Sequence, residues 1–233
     1  MHDVYGDRFT SSPLTGILGV GIKAILGGTF NPPHKGHINA ALAAADALKI
    51  DSVYLMPCKL PPHKAVSVSE AHRVAMIELC CQENKRLKSE LIELALPAPS
   101  YTVKTLRALR QQSQDTICFF IGADSLYNLD KWYEWEQLLD YCHLIVMRRD
   151  GAAFTPPKSI SLWLDKHKAH DSSVINTCKN GAVLLIDTPL YPVSSTEIRN
   201  GMAKTSATDI TTTSDWVPRS VLNYIEEHQL YKS

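Results

Sequence analysis

The sequence predicts an α/β fold: a doubly wound, mainly parallel sheet with a small C-terminal helical extension. Two observations point to it. Short apolar runs alternate with longer helical patterns along the chain, the signature of strand–helix units in a parallel sheet. The first run, Ile22–Leu26, passes straight into Gly27-Gly28 and a helix start, the place where open α/β sheets bind ligands. At 233 residues, against roughly 100–200 per domain, the chain is one large domain or one domain with a small appendage. We expect an N-terminal tail over 1–21 and a single domain over 22–233, closed by helices at about 195–231.

The elements follow in order. Ile22–Leu26 reads as a buried strand, and Ala-rich Gly36–Leu48 as a largely buried helix. Ser52–Met56 is a second strand stopped by Pro57, and Cys58–Ser67, with Pro61-Pro62, is a loop. Ser69 caps an amphipathic helix to Cys81, with Val74, Ile77 and Cys81 on one face. Leu91–Leu94 reads as a weaker strand before the Pro97–Pro99 turn, and Ser100 caps a helix to about Gln112. Thr116–Ile121 is a clear strand, Asp124–Leu139 holds helical turns, and His143–Met147 is another strand. Asp150–Gly181 is an excursion with a helix near Ser159–Lys168. Val183–Ile186 is the last strand; Ser195–Met202 and Pro218–Gln229 are the closing helices, Pro218 suiting a first turn.

Apolar residues make up 45% of the chain and charged residues 21%, which excludes disorder as the main state. Lys+Arg and Asp+Glu both count 24, so the net charge is zero, and no broad grip on nucleic acid or an anionic membrane is expected. No run approaches the roughly 18 apolar residues of a membrane span. Pro13–Ile22 is apolar, but Asp3 and Asp7 outweigh Arg8, which argues against a signal peptide. The cysteines, at 58, 80, 81, 118, 142 and 178, form no CxxC pair and fit buried, reduced thiols in a cytoplasmic protein. Nothing in the sequence selects a monomer over a homo-oligomer.

The segment Gly27-Gly28-Thr29-Phe30-Asn31-Pro32-Pro33-His34-Lys35-Gly36-His37 joins the first strand to the first helix. Its glycines permit close backbone approach to a ligand, and the amides after Gly36 are helix-start donors that favour phosphate. His34 and His37, three apart, can face one anion, while Lys35 between them points elsewhere. The spacing is neither a Walker A loop nor a GxGxxG fingerprint. A metal pair lacks local partner ligands; a purely structural turn is the other reading. After the last strand comes Val193-Ser194-Ser195-Thr196-Glu197-Ile198-Arg199. Alone it is an ordinary capping sequence; with Arg199 one turn in, it also offers hydroxyl, amide and guanidinium donors for phosphate.

Together the two segments resemble the HxGH and SSTxxR signatures of the nucleotidyltransferase superfamily. Further motifs resemble its bacterial nicotinate-nucleotide adenylyltransferase family: Pro57–Lys64, with its PPHK ending, Pro99–Leu106, Gly122-Ala123-Asp124-Ser125 with Trp132, and Arg148-Arg149-Asp150-Gly151. The match runs in order from about Ile22 to Tyr231; Asn31 stands where the family often has Asp, and Asp150 where it often has Pro.

The resemblance implies a Rossmann-like fold and transfer of the adenylyl group of ATP to nicotinate mononucleotide, with Mg²⁺ carried on the ATP phosphates. It implies catalytic roles for His34, His37 and Arg199. ATP contacts fall to Gly28, Thr29, Phe30, His34, His37, Gly122, Asp124, Ser195, Thr196 and Arg199. Mononucleotide contacts fall to Lys64, Thr102, Val103, Trp132, Tyr133 and Arg148. Read alone, Asp124 is equally a helix cap, Lys64 a solvated loop residue, and Trp132 and Trp135 core. The competing activities are another superfamily transferase, such as a phosphopantetheine adenylyltransferase, and a non-catalytic nucleotide-binding regulator; a class I synthetase lacks its KMSKS-like segment here.

Overall fold

A computed structural model describes residues 21–59, 68–149, 151, 153–203 and 215–232. Six strands form one sheet: β1 (Ile22–Gly28), β2 (Val53–Pro57), β3 (Leu87–Ser89), β4 (Thr116–Gly122), β5 (His143–Arg149) and β6 (Val183–Thr188). Their order is β3-β2-β1-β4-β5-β6 and every pairing is parallel. The helices are α1 (Lys35–Ala47), α2 (Glu70–Glu83), α3 (Ile92–Ala95), α4 (Thr102–Gln112), α5 (Ala123–Leu126), α6 (Lys158–His167), α7 (Val174–Thr177), α8 (Ser195–Ala203) and α9 (Arg219–Glu227). Two 3₁₀ turns, Leu129–Lys131 and Trp135–Asp140, lie between α5 and β5.

Because strand side chains alternate between faces, the central strands feed two cores. Ala24, Leu26, Cys118, Phe120, Ile145 and Met147 pack with α1, α2 and α9. Ile25, Ile117, Phe119, Ile121, Leu144 and Val146 pack with α4, the 3₁₀ turns and α6. This is the doubly wound arrangement the sequence predicts. The strand order reverses between β1 and β4, the switch point at which a doubly wound sheet opens a crevice at the strands' C-terminal ends. All strands being parallel, Gly28, Cys58, Gly122 and Arg149 come to the same edge. Among the described residues no helix is long and apolar enough to cross a membrane.

Several local expectations change. Leu91–Leu94 is not a strand; the edge strand is β3, and Ile92–Ala95 is a helical turn. Glu90 turns the chain there by accepting the Ile92 N–H at 3.0 Å, and Glu93 is buried with Thr105 Oγ1 donating to it at 3.1 Å. Ser69 caps α2 as expected, accepting from the His72 amide. The buried stripe of that helix is Arg73, Met76, Ile77 and Cys80, not Val74, Ile77 and Cys81. An arginine on the apolar face disguised the pattern. Ser100 does not cap α4, whose cap is Tyr101 without a side-chain bond; Ser100 Oγ accepts the Lys59 amide instead. All six cysteines are free, but Cys178 is exposed and Cys58 and Cys81 are only half-buried. The loop residues 60–67 and residues 1–20 of the tail expected over 1–21 lie outside the described residues.

Phe120 is 1% exposed at the centre of β4, between its neighbours in one core. Phe120→Ala is expected to cost about 3–5 kcal/mol of unfolding free energy in urea at neutral pH; a loss under about 1 kcal/mol would show that this layer is not close-packed.

Candidate active site

The turn between β1 and α1 is held by close backbone approach and by bonds from the far end of the chain. Phe30 sits in the left-handed region, φ 49°, a costly conformation for a bulky residue. Its buried ring folds back over Gly28, where a Cβ would lie 3.2 Å from the ring. Gly36 has the tighter constraint: a Cβ there would meet Val193 Cγ1 at 2.6 Å. The segment after β6 therefore packs directly on the start of α1. Arg199 donates to the Asn31 carbonyl at 2.8 Å, Ser195 Oγ to the Pro32 carbonyl at 3.0 Å, and Tyr231 Oη to Asn31 Oδ1 at 2.7 Å. The Lys35 amide and ammonium both turn to the Trp216 and Asp215 carbonyls, so Lys35 does point away from the histidines.

His34 is the N-cap of α1 and 1% exposed; its Nδ1 accepts the His37 amide at 3.4 Å. Its ring stacks on that of His37, centroids 3.9 Å apart. Burial, and secondarily the neighbouring His37, push its pKa down from 6.5 to about 3. His34 is therefore neutral at ordinary pH, and because Nδ1 accepts, its proton resides on Nε2. That Nε2 is buried and has no hydrogen-bond partner among the described residues. A buried, unpaired donor at a helix start suits an anionic oxygen. His37, exposed beside it, can present its ring to the same ligand.

The second segment makes the helix cap that its sequence suggests and leaves donors beside it. Ser194 and Glu197 form the cap: Ser194 Oγ accepts the Glu197 amide at 3.2 Å and donates to its carboxylate at 2.7 Å. Ser195 commits its hydroxyl proton to Pro32, so toward an anion it offers its helix-start amide. Thr196 Oγ1 accepts from Arg199 at 3.2 Å and keeps its own proton to donate. Arg199 thus touches both segments at once.

Beyond β4, Gly122, Asp124 and Arg148 line one groove with Tyr127 and Phe154. Gly122 caps α5 without a side-chain bond, so Asp124 is not the cap; its exposed carboxylate pairs with Arg149 at 3.3 Å. Arg148 pairs with Asp187 and lies over the Phe154 ring. It stands with Asp124 rather than with the other mononucleotide candidates. Those gather at α4: Tyr133 is exposed and its ring lies tilted against that of Tyr101, centroids 4.6 Å apart, with the Lys104 ammonium over both rings. Thr102 and Val103 supply the first amides of α4, ahead of Lys104 and Thr105, which bond the Tyr101 carbonyl. Trp132 and Trp135 are half-buried against the core of that face. Lys64 lies outside the described residues.

The sequence and the fold have counterparts among known proteins. The Cytidylyltransferase-like family matches residues 25–201. A protein of Pseudoalteromonas atlantica, named a probable nicotinate-nucleotide adenylyltransferase, is 36% identical over 89% of this chain and 94% of its own. One of the same name from Psychromonas ingrahamii is 37% identical over 89% of this chain and 95% of its own. The chain belongs to the nicotinate-nucleotide adenylyltransferase family. The fold of the Plasmodium falciparum nicotinic acid mononucleotide adenylyltransferase, solved with NaAD, superposes with TM-score 0.67 at 19% identity, covering 91% of this chain and 97% of that one. Within this member of the adenylyltransferase family, sequence reasoning passed over Arg73, Glu93 and Tyr231. Arg73 carried a signal: it starts the i, i+3, i+4, i+7 stripe of α2, where a charge is out of place. Tyr231, at the chain's far end from Asn31, carried none.

His34 titrates near pH 3 folded and near 6.5 unfolded, so between these values the unfolded chain binds more protons and acid destabilises the fold. The full stability is present above about pH 6.5 and declines as pH falls toward 3. His34→Asn keeps a capping acceptor and removes the titration. Between pH 7 and about pH 4.5 the wild type should lose about 2 kcal/mol more than this variant in urea unfolding. Equal losses would show that His34 is not buried neutral.

Proposed function

We propose that this chain transfers the adenylyl group of ATP to nicotinate mononucleotide, giving nicotinate adenine dinucleotide and pyrophosphate in NAD biosynthesis. Family membership supports the reaction, and the unpaired, buried His34 Nε2 beside His37 is the observation that carries the site. A mononucleotide phosphate oxygen attacks the α-phosphorus in line; the new P–O bond forms as the bond to the β-phosphate oxygen breaks. The nucleophile is already an anion and needs no strong base. The barrier is electrostatic, since a phosphate monoester must approach a triphosphate, so catalysis is positioning and neutralisation of charge. No covalent enzyme intermediate is required.

In this reading the neutral His34 Nε2–H and the His37 ring hold the α-phosphate oxygens as charge builds on them. Neutrality suits His34: it donates without its own charge having to be buried when the site is empty. Gly28, Thr29 and Phe30 present the turn to the phosphates. Arg199, the Thr196 hydroxyl and the Ser195 amide hold the β- and γ-phosphates and stabilise the departing pyrophosphate. Asp124 accepts the ribose hydroxyls, and Gly122 and Arg148 flank the adenosine. The last assignment moves Arg148 from the mononucleotide to the ATP side, because it shares a groove with Asp124.

Among the described residues, no three His, Cys, Asp or Glu side chains gather to hold a metal. The donors here are N–H, hydroxyl and guanidinium groups, which fit the oxygens of a Mg²⁺–ATP complex rather than the cation. Mg²⁺, bound through those phosphates, would supply charge neutralisation. Tyr133 and Trp132 face the pyridine ring, Lys64 meets the mononucleotide phosphate, and the Thr102 and Val103 amides receive the carboxylate. Amide donors favour a carboxylate over a carboxamide, whose NH₂ would face N–H. The reduced thiols fit a cytoplasmic enzyme.

Pyrophosphate release from Mg-ATP, compared with nicotinate and nicotinamide mononucleotide, tests the reaction. A large excess of kcat/KM for the nicotinate form is expected; no release with either mononucleotide contradicts the function. His37→Ala should fold normally and lose about 10²–10³ in turnover, the usual effect of removing one transition-state donor. Near-normal turnover in the purified variant would remove His37 from the mechanism.

A further inference from the structure

Arg73 is among the largest fully buried side chains of the protein, at 1% exposure. Its guanidinium donates to the Thr29 carbonyl at 3.0 Å, inside the phosphate-binding turn, and to the Lys59 carbonyl at 3.4 Å, just beyond β2. The other side of Lys59 is gripped as well. Its amide is shared between Ser100 Oγ at 3.2 Å and Glu93 Oε1 at 3.3 Å, and that same buried carboxylate accepts from Thr105 Oγ1 in the first turn of α4. A continuous, largely buried chain of hydrogen bonds, Thr29–Arg73–Lys59–Glu93–Thr105, therefore ties the turn after β1 to α4, the helix whose first amides the proposed function gives to the pyridine carboxylate.

Core stability gives a poor account of this arrangement. The Arg73 Nε is buried with no partner among the described residues. Burying a guanidinium is costly, and an apolar side chain of similar volume at such a place is often neutral or stabilising. Its neighbours on the stripe, Met76, Ile77 and Cys80, are such side chains.

We propose that Arg73 is a positioning residue for adenylyl transfer: it fixes the Thr29 turn against the Lys59 strand end, and with Glu93 sets the distance between the two substrate sites. The inference rests on the proposed reaction for its turnover readout, but not for its ATP readout. Arg73 acts through the Thr29 and Lys59 backbone carbonyls, and Glu93 through the Lys59 amide and the Thr105 hydroxyl. Arg73 governs the ATP side because it bonds the phosphate turn directly; Glu93 governs the mononucleotide side through Thr105.

The test uses Arg73→Met, Arg73→Lys and Glu93→Gln in the full chain, with thermal midpoint, kcat, both KM values and calorimetric binding of a non-hydrolysable ATP analogue. Arg73→Met should stay folded and lose about 10- to 100-fold in kcat/KM, the effect of one or two charge-assisted bonds. It should also weaken analogue binding several-fold. Arg73→Lys, able to reach one carbonyl but not both, should recover part of the loss. Glu93→Gln should raise the KM for nicotinate mononucleotide more than that for ATP. Wild-type constants in a folded Arg73→Met, or losses that only track the folded fraction, would overturn the proposal. If Arg73→Met does not fold, Glu93→Gln decides: equal changes in both KM values, or none, overturn it. If the wild type is inactive with nicotinate mononucleotide, the functional reading fails on its own, and unchanged analogue binding in Arg73→Met would separately overturn the role of Arg73.

Discussion

The short turn between β1 and α1 must do two incompatible things. It must leave its polar groups open to an anion, and it must hold one shape without the bonds that an ordinary turn makes to itself. The molecule meets this by anchoring the turn from elsewhere in the chain. Arg199 and Ser195 take the Asn31 and Pro32 carbonyls, Tyr231 takes the Asn31 side chain, and Arg73 takes the Thr29 carbonyl. The left-handed Phe30 is sustained by this surrounding network. With its acceptors occupied from behind, the turn keeps its donors for the front.

The consequence for His34 is chemical. Its burial under the turn lowers its basicity, and its cap bond to the His37 amide fixes which nitrogen carries the proton. A neutral, oriented N–H costs less to preorganise than an imidazolium in the same place. The exposed His37 stacks on it and, in the proposed reaction, is the adaptable partner. In the proposed reaction, selectivity at the pyridine end follows the same logic: the start of α4 has no side-chain cap bond, and its amides are donors that suit a carboxylate better than a carboxamide.

Much of this was legible in the sequence, for physical reasons. Apolar runs such as Thr116–Ile121 are strands buried on both faces and need no tertiary information to be recognised. The glycines and histidines of the first turn, and the Ser–Glu spacing after β6, announce local geometry. What stayed hidden depends on distant partners. Glu93 lies in a helical turn rather than a strand, with Lys59 and Thr105 satisfying its carboxylate. Ser100 looks like a cap but is taken by the Lys59 amide. Asp124 reads as a cap until Arg149 is found beside it. Tyr231 acquires its role only because the chain's end folds back onto its beginning.

The central claim is that a neutral His34, protonated on Nε2, waits unpaired for a phosphate oxygen. Nitrogen-detected NMR of histidine-labelled protein tests it directly, with the His34 resonances assigned through the His34→Asn variant. At about pH 5, below the ordinary histidine pKa of about 6.5, the account predicts a neutral ring with a proton on Nε2, whose resonance shifts when a non-hydrolysable Mg-ATP analogue is added. An imidazolium at that pH, a proton on Nδ1, or a resonance indifferent to nucleotide would contradict it.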